Sequence, residues 1–177
     1  GRIYRFAPAA VDGTRFDLSS GILEAAELVD GGEGKVRWHV VPDPSGAGTP
    51  TNRQVSESTA FPGGEGMICH GNAIYFTTKF DNRVWAYDTN AETIRIIYDD
   101  DRFEHPELTG VDNVVVSPNG DVVVAEDGGD MQIVAITPDG EVYPFLQVVG
   151  HSGSEIAGPA FDPSGTRLYF SSQRGRR

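Results

Sequence analysis

The stretch that decides the fold is LTGVDNVVVSPNGDVVVAEDGGD, which runs from Leu108 to Asp130. Two short runs of valines, 114–116 and 122–124, flank the turn Ser117-Pro118-Asn119-Gly120. β-Branched residues favour strands, and a glycine-containing turn between two such runs is typical of a β-hairpin. The sequence therefore predicts an antiparallel hairpin whose two open ends lie side by side at one edge of a sheet.

Acidic and amide residues are concentrated at those open ends. Asp112 and Asn113 open the first strand, and Glu126 and Asp127 close the second. Clustered carboxylates repel one another, and carboxylate and amide oxygens are the ligands that hard cations prefer. We therefore expect these four residues to take part in a metal site. The alternative is that each caps a turn and accepts backbone hydrogen bonds, as Asp and Asn do in many loops.

Composition limits the classes of partner. The chain has 177 residues, of which 38% are hydrophobic, so it can bury a core of ordinary single-domain size. Its 26 acidic and 14 basic residues give a net charge of -12, which disfavours nucleic acid and anionic membrane surfaces and favours cations. No apolar run approaches the roughly 20 residues of a membrane span. A single cysteine excludes an intramolecular disulfide.

The hairpin belongs to an internal repeat. Segments 73–78, 122–127 and 168–173 align, and each follows a turn that contains a glycine, at Gly71, Gly120 or Gly165. Those glycines are 49 and 45 residues apart. Periods in the forties that contain four short strands are typical of β-propeller blades. The sequence thus predicts an all-β fold, a β-propeller with about three blades' worth of chain; the alternative is a β-sandwich of irregular hairpins.

The repeat also predicts blade boundaries and a place for the acidic residues. We expect the end of one blade at 1–30, an insertion loop at 42–60, blades at 64–100 and 111–148, and the start of a blade at 157–173; segment 21–29 is expected to be a strand. First strands line the axis of a propeller, so their starts converge. Glu65, then Asp112 with Asn113, and then Glu155 precede or open first strands, at spacings of 47 and 43. We expect them to share one axial metal site.

Two other groups of residues carry weaker signals. Cys69 and His70 are adjacent, and because neighbouring residues on a strand point to opposite faces, we expect a buried thiol and an outward imidazole. The run Asp99-Asp100-Asp101 predicts a solvated connection between blades, with a second calcium site as the alternative.

Ordered motifs along the chain resemble those of a known family. They are Phe61-Pro62-Gly63-Gly64-Glu65-Gly66, Ile74-Tyr75-Phe76-Thr77-Thr78, Arg83-Val84-Trp85-Ala86-Tyr87-Asp88, Gly110-Val111-Asp112-Asn113, Ala125-Glu126-Asp127-Gly128-Gly129, Ser154-Glu155-Ile156-Ala157-Gly158-Pro159 and Leu168-Tyr169-Phe170-Ser171-Ser172-Gln173. Together they look like the C-terminal half of the PhoX-type alkaline phosphatases, a family of secreted bacterial β-propellers.

The resemblance implies a six-bladed propeller, export by the twin-arginine route to the periplasm or medium, and a central iron and calcium site that hydrolyses small phosphate esters. It implies that Glu65 is a catalytic residue and metal ligand, with Asp112, Asn113, Glu126 and Glu155 around the same mouth. Two departures are notable. The phosphatase branch has an arginine that holds the substrate phosphate where this chain has Gly63, and the family's iron-binding cysteine lies outside this half and is not Cys69.

Phosphoester hydrolysis is therefore the leading hypothesis. The alternatives are a calcium-dependent lactonase-like propeller, and a non-catalytic binding propeller in which the metal is structural. Three blades' worth of chain leaves strand edges and apolar faces exposed, and propellers typically close with four to eight blades. We thus expect a partner: the N-terminal half of the same propeller, or a second copy of this chain.

Overall fold

The computed structural model describes residues 1–10, 13 and 15–174, and within them the chain is almost entirely strands and turns. Three short 3-10 turns are present, at Thr51–Arg53, Lys79–Asp81 and Asp100–Arg102. The strands are Tyr4–Ala10 (β1), Phe16–Leu28 (β2), Gly34–Val40 (β3), Gly64–His70 (β4), Ala73–Thr78 (β5), Arg83–Asp88 (β6), Thr93–Asp99 (β7), Val111–Val116 (β8), Val122–Glu126 (β9), Gln132–Ile136 (β10), Val142–Gln147 (β11), Ile156–Phe161 (β12) and Leu168–Ser172 (β13). Across these described ranges, no helix has the length and apolar character to cross a membrane.

The chain divides into two compact units, and the first comprises residues 1–61 with 92–94. Here β1, β2 and β3 form an antiparallel meander, and the start of β7 pairs with the start of β3. Its core is a small apolar cluster around Ala25, Val41 and Val55. The strand predicted at 21–29 is confirmed as part of β2, which begins earlier than the sequence pattern indicates.

The second unit comprises residues 62–91 and those from 95 onward, and its strands follow one another as antiparallel meanders. Strands β4 to β7 pair in sequence order, β8 to β11 do the same, and β12 pairs with β13. The predicted hairpin is confirmed: Val114 faces Val124 across β8 and β9. The turn closes with the Ser117 amide donating to the Asp121 carbonyl at 2.8 Å.

Strand β9 lies at the centre of this unit, because every residue in it is buried. Its side chains alternate between two apolar clusters, as the pleat of a strand requires. Val122 and Val124 pack in a cluster with Tyr98 and Leu108, whereas Val123 and Ala125 pack in another with Ile133 and Ile156. Burial on both faces fixes the register of β9, so the residues at its end have a well-defined position.

Strands β4, β8 and β12 each carry a β-bulge at the same place in the repeat. The register shifts after Gly64 in β4, after Val111 in β8 and after Ala157 in β12, at positions 47 and 46 residues apart. The bulged pairs are 65–66, 112–113 and 158–159, so two predicted metal ligands, Glu65 and Asp112, are repeat equivalents. Bulges re-aim side chains and are frequent next to functional sites. Glu155 precedes its bulge by three residues and is not equivalent to either of them.

The expectation for Cys69 is wrong, because its thiol is exposed. Strand β4 lies at the end of its sheet and pairs with β5 alone, so none of its residues is buried. His70 is exposed, as expected.

Candidate metal centre

Three predicted ligands lie together. Asp112, Asp127 and Glu155 each have a carboxylate oxygen within 4.8 Å of the others. Asp112 is buried, and Asp127 and Glu155 are half-buried. Asp127 and Glu155 are brought together by an isolated antiparallel β-bridge between the end of β9 and the residue that precedes β12. Glu155 therefore reaches the group through this bridge.

A hydrogen-bonded relay through Thr77 ties the bulges to one another. The hydroxyl of the buried Thr77 accepts the Gly66 amide at 3.0 Å and donates to the carbonyl of Asp112. The Asn113 side chain continues the relay, because its Oδ1 accepts the Gly158 amide at 2.6 Å. The bulge of β8 is thereby held by β5 at the Asp112 carbonyl and by β12 at the Asn113 side chain.

Gly66 allows the close approach that this relay needs. A Cβ at Gly66 would lie 2.6 Å from the backbone nitrogen of Val114 and 2.8 Å from the Cα of Asn113. Such contacts are too short for any side chain, so β4 and β8 approach backbone to backbone at this point. Glycine at position 66 is therefore required by the closeness of the β8 backbone.

Asp112 is the carboxylate whose ionisation is most perturbed in the group. Burial, and then the charge of Glu65, raise the pKa of Asp112 from its usual 3.8 to about 6. Its Oδ1 accepts the Asn113 amide group at 2.6 Å, and the Lys79 Nζ lies 3.9 Å from its Oδ2. A bound cation would relieve both causes of this raised pKa, the burial of the carboxylate and the negative charges beside it.

Two cationic side chains, Lys79 and Arg174, enter the group, and the sequence reasoning missed both. Lys79 forms an ion pair with Asp127, and Arg174 contacts Asp127 at 2.7 Å and Glu155 at 3.1 Å. The contact with Lys79, and to a smaller extent the contact with Arg174, hold the pKa of Asp127 below its usual value. The contact with Asp127 raises the pKa of Lys79. A signal was present for Lys79, since it directly follows β5 as Asp127 directly follows β9.

Glu126 makes different contacts. It is fully buried, and its two carboxylate oxygens accept the backbone amides of Thr109 at 3.0 Å and Gln132 at 2.9 Å. Burial raises the pKa of Glu126 to about 7, although the two amides act in the opposite direction. These contacts connect the end of β9 to Thr109 and to the start of β10, and the role of Glu126 as a metal ligand stays a prediction.

Glu65 and Asn113 lie beside the group. The Glu65 side chain is exposed and outside the set of three carboxylates, yet its charge is the largest electrostatic influence on Asp112. The Asn113 amide is engaged with Asp112 and Gly158. Gly63 lies in the left-handed region at φ +68°, and a Cβ there would lie 3.1 Å from the Phe80 ring, so this position is closely packed as well as lacking the arginine.

The donor chemistry of the group fits a hard cation. Calcium binds carboxylate oxygens at about 2.3–2.6 Å, so ligands on opposite sides of one ion are about 5 Å apart. The three oxygens lie within that span. Asp99, Asp100 and Asp101 also meet this criterion, but Asp99 is buried with its Oδ2 2.9 Å from the Arg83 Nε and its Oδ1 accepting the Asp101 amide.

Comparison with known proteins places the chain in a family. Residues 77–175 match the model of the family described as alkaline phosphatase PhoX, which is more than half of the chain. The chain belongs to the PhoX alkaline phosphatase family. No curated protein gives a significant match over the chain.

Among solved structures, the PhoX chain is similar to the selenomethionine-substituted virginiamycin B lyase from Staphylococcus aureus. The TM-score is 0.51 at 15% sequence identity, and the similarity covers 97% of this chain and 54% of the lyase chain. The lyase is a β-propeller, so the predicted fold class is confirmed, while the number of blades stays a prediction. The chain spans about half the length of this neighbour.

Proposed function

We propose that Asp112, Asp127 and Glu155 bind a calcium ion, and that this site serves phosphoester hydrolysis. The observation that carries the proposal is the convergence of three carboxylate oxygens within 4.8 Å in a chain of the PhoX family. A bound divalent cation polarises a phosphoryl oxygen and lowers the pKa of a bound water. We propose Glu65 as a further ligand and the catalytic residue, because it is exposed and its charge acts on Asp112.

Lys79 and Arg174 are proposed to have two roles. Without a cation they neutralise Asp127 and Glu155, which otherwise repel one another and Asp112. With a cation bound, the same carboxylates are shared between the ion and these side chains. Ammonium and guanidinium groups would then be available to attract an anionic phosphate ester, in a chain where the position of the expected arginine is Gly63.

The remaining parts of the hypothesis rest on the family. The group of three contains only oxygen donors, which suit calcium, so we propose that any iron ligands are contributed from outside the described residues. We propose a secreted or periplasmic location, as is typical of PhoX proteins. We also propose that a further propeller segment, from the same protein or a second copy, adds the remaining groups of the catalytic centre beside this calcium site, since the chain spans about half of its structural neighbour.

Calcium binding tests the site independently of the rest of the protein. Calorimetric titration of the chelator-treated chain is expected to show saturable binding that Asp112→Asn abolishes. Asp100→Asn is the matched control, because it removes a carboxylate from the other acidic group and should leave binding unchanged. Loss of binding in Asp100→Asn with retention in Asp112→Asn would place the ion elsewhere and contradict the proposal.

Turnover distinguishes the functional alternatives. Hydrolysis of p-nitrophenyl phosphate that is lost on chelation and in Glu65→Gln would support the phosphatase, and turnover of lactones alone would support a lactonase. A third outcome is favoured by Gly63 and by the existing ion pairs of Lys79 and Arg174: calcium raises the melting temperature but no substrate turns over. That result would support a binding propeller with a structural metal, since an ion bound only by the native state stabilises it.

A further inference from the structure

A groove of about 530 Å³ lies in the second unit, in contact with none of the proposed calcium ligands. Its lining combines aromatic rings with carboxylates: Tyr98, Phe103 and Tyr143 provide the rings, and Glu107 and Glu141 provide the charges. The volume falls within the roughly 300–1,000 Å³ that is common for small-molecule sites. None of the described residues that line it is cationic.

The floor of the groove is preformed. Tyr98 is only 2% exposed, its hydroxyl donates to the Leu108 carbonyl at 2.7 Å, and it accepts the Leu108 amide at 3.2 Å. The Phe103 ring stacks on Tyr98 with a centroid distance of 5.3 Å and an angle of 18°. Phe103 is nevertheless 44% exposed, so a ring held firmly from below presents its other side to solvent.

The hydrogen-bonded turn between β10 and β11 also lines the groove. The Thr137 hydroxyl accepts the Glu141 amide at 3.0 Å, and the Gly140 amide donates to the Thr137 carbonyl at 2.9 Å. Gly140 has a φ of +88°, the left-handed conformation that this turn needs. The turn places Glu141 beside Tyr143, which is 43% exposed. The groove is therefore lined by exposed aromatic rings together with the exposed residues Glu107 and Glu141.

We propose that this groove binds a small organic cation, an alkylammonium whose charge faces Glu107 and Glu141 and whose alkyl groups lie against Phe103 and Tyr143. Aromatic faces attract ammonium groups through the ring quadrupole, and a nearby carboxylate adds a separate charge–charge attraction. An anion would be repelled by both carboxylates, and the chain as a whole carries a net charge of -12. Charge and shape thus select the same class of ligand.

The test uses choline and its neutral isostere 3,3-dimethyl-1-butanol, each titrated into the full chain at matched ionic strength and followed by two-dimensional NMR. Choline is expected to cause saturable shifts around Phe103 and Tyr143. The dissociation constant of the neutral alcohol should be at least about fivefold larger than that of choline, which corresponds to a modest cation–π contribution. Equal binding of the two compounds would show an apolar cleft only and overturn the proposal, as would the absence of saturable shifts with choline.

Variants locate the site. Replacing both carboxylates, as Glu107→Gln with Glu141→Gln, should remove the preference for choline over the alcohol while leaving the fold intact, because both side chains are exposed. Phe103→Leu should weaken choline binding several-fold. Phe145→Leu is the control, since Phe145 is 46% exposed on the same strand as Tyr143 but outside the groove. An equal loss in Phe145→Leu, or an unchanged preference in the double variant, would refute the assignment.

Discussion

Thr77→Val tests most directly whether the bulges position the candidate metal ligands. The Thr77 hydroxyl accepts the Gly66 amide at 3.0 Å and donates to the Asp112 carbonyl, in a fully buried position. Valine has nearly the same shape as threonine and removes only the hydroxyl. The substitution therefore leaves the packing of β5 in place and breaks the link between the bulge of β4 and that of β8.

The size of the effect follows from the groups that lose a partner. An unsatisfied buried donor or acceptor costs about 1–3 kcal/mol, and two are left here, so the free energy of unfolding should fall by about 2–6 kcal/mol. Thr77→Ser keeps the hydroxyl and loses one methyl group, which costs about 1 kcal/mol. Calcium affinity should fall about tenfold in Thr77→Val, because a small displacement of the Asp112 backbone costs about 1.4 kcal/mol of ligand geometry.

Stability would be measured by urea unfolding in chelator, and affinity by calorimetric titration with calcium. Thr78→Val is the matched control, because the buried Thr78 hydroxyl accepts the Trp85 Nε1 at 2.9 Å and plays no part in the bulges. It should lower stability and leave calcium affinity unchanged. The proposed role of Thr77 is contradicted if Thr77→Val is no less stable than Thr77→Ser, or if Thr78→Val weakens calcium binding as much as Thr77→Val.

Four further predictions concern the same site. Lys79→Met should raise calcium affinity about tenfold in calorimetry, because the ammonium group competes for Asp127, and should lower the melting temperature in chelator. The pKa of Asp112 is raised to about 6 in the native state, so the free energy of unfolding in chelator should fall as the pH rises from about 4 to 6. Urea unfolding of Asp112→Asn at several pH values should show a smaller change of this free energy with pH. Calcium affinity should weaken about tenfold from pH 7 to 5, because the carboxyl group gains a proton. Gly66→Ala, whose Cβ would lie 2.6 Å from a backbone nitrogen, should lower the unfolding free energy by more than about 3 kcal/mol, whereas Gly64→Ala meets open space and should change it by less than about 1 kcal/mol.

The hairpin at the centre of the sequence could be predicted because its determinants are local. The valines of β8 and β9 and the turn from Ser117 to Gly120 act within a few residues of one another, and turn chemistry depends on such short separations. The same reasoning locates Asp112 and Asp127, since antiparallel pairing brings the start of one strand to the end of the next. The strand over 21–29 was also predictable, because it lies between glycines in a chain of repeated strands.

The partners of these residues could not be predicted, because they are distant in sequence. Lys79 and Asp127 are separated by 48 positions, and Arg174 and Asp127 by 47, so their pairing depends on how consecutive repeats approach one another. Glu126 illustrates the opposite difficulty. Its position at the end of β9 indicates a ligand, but its contacts depend on the paths of two loops, which bring the Thr109 and Gln132 amides to its oxygens. Composition alone does not distinguish a carboxylate that binds a cation from one that binds the backbone.

The pairing of Lys79 with Asp127 has a structural cause that extends to the charge of the whole group. The Lys79 amide donates to the Gly63 carbonyl at 2.7 Å, and the Asp127 amide donates to the Gly110 carbonyl at 2.9 Å, so the two residues occupy the same backbone position in consecutive repeats. Consecutive repeats thus bring one copy of that position each to the candidate metal centre. Lysine at this position in one repeat and aspartate in the next place opposite charges side by side, and we expect the balance between them to set the cation affinity of the candidate metal centre.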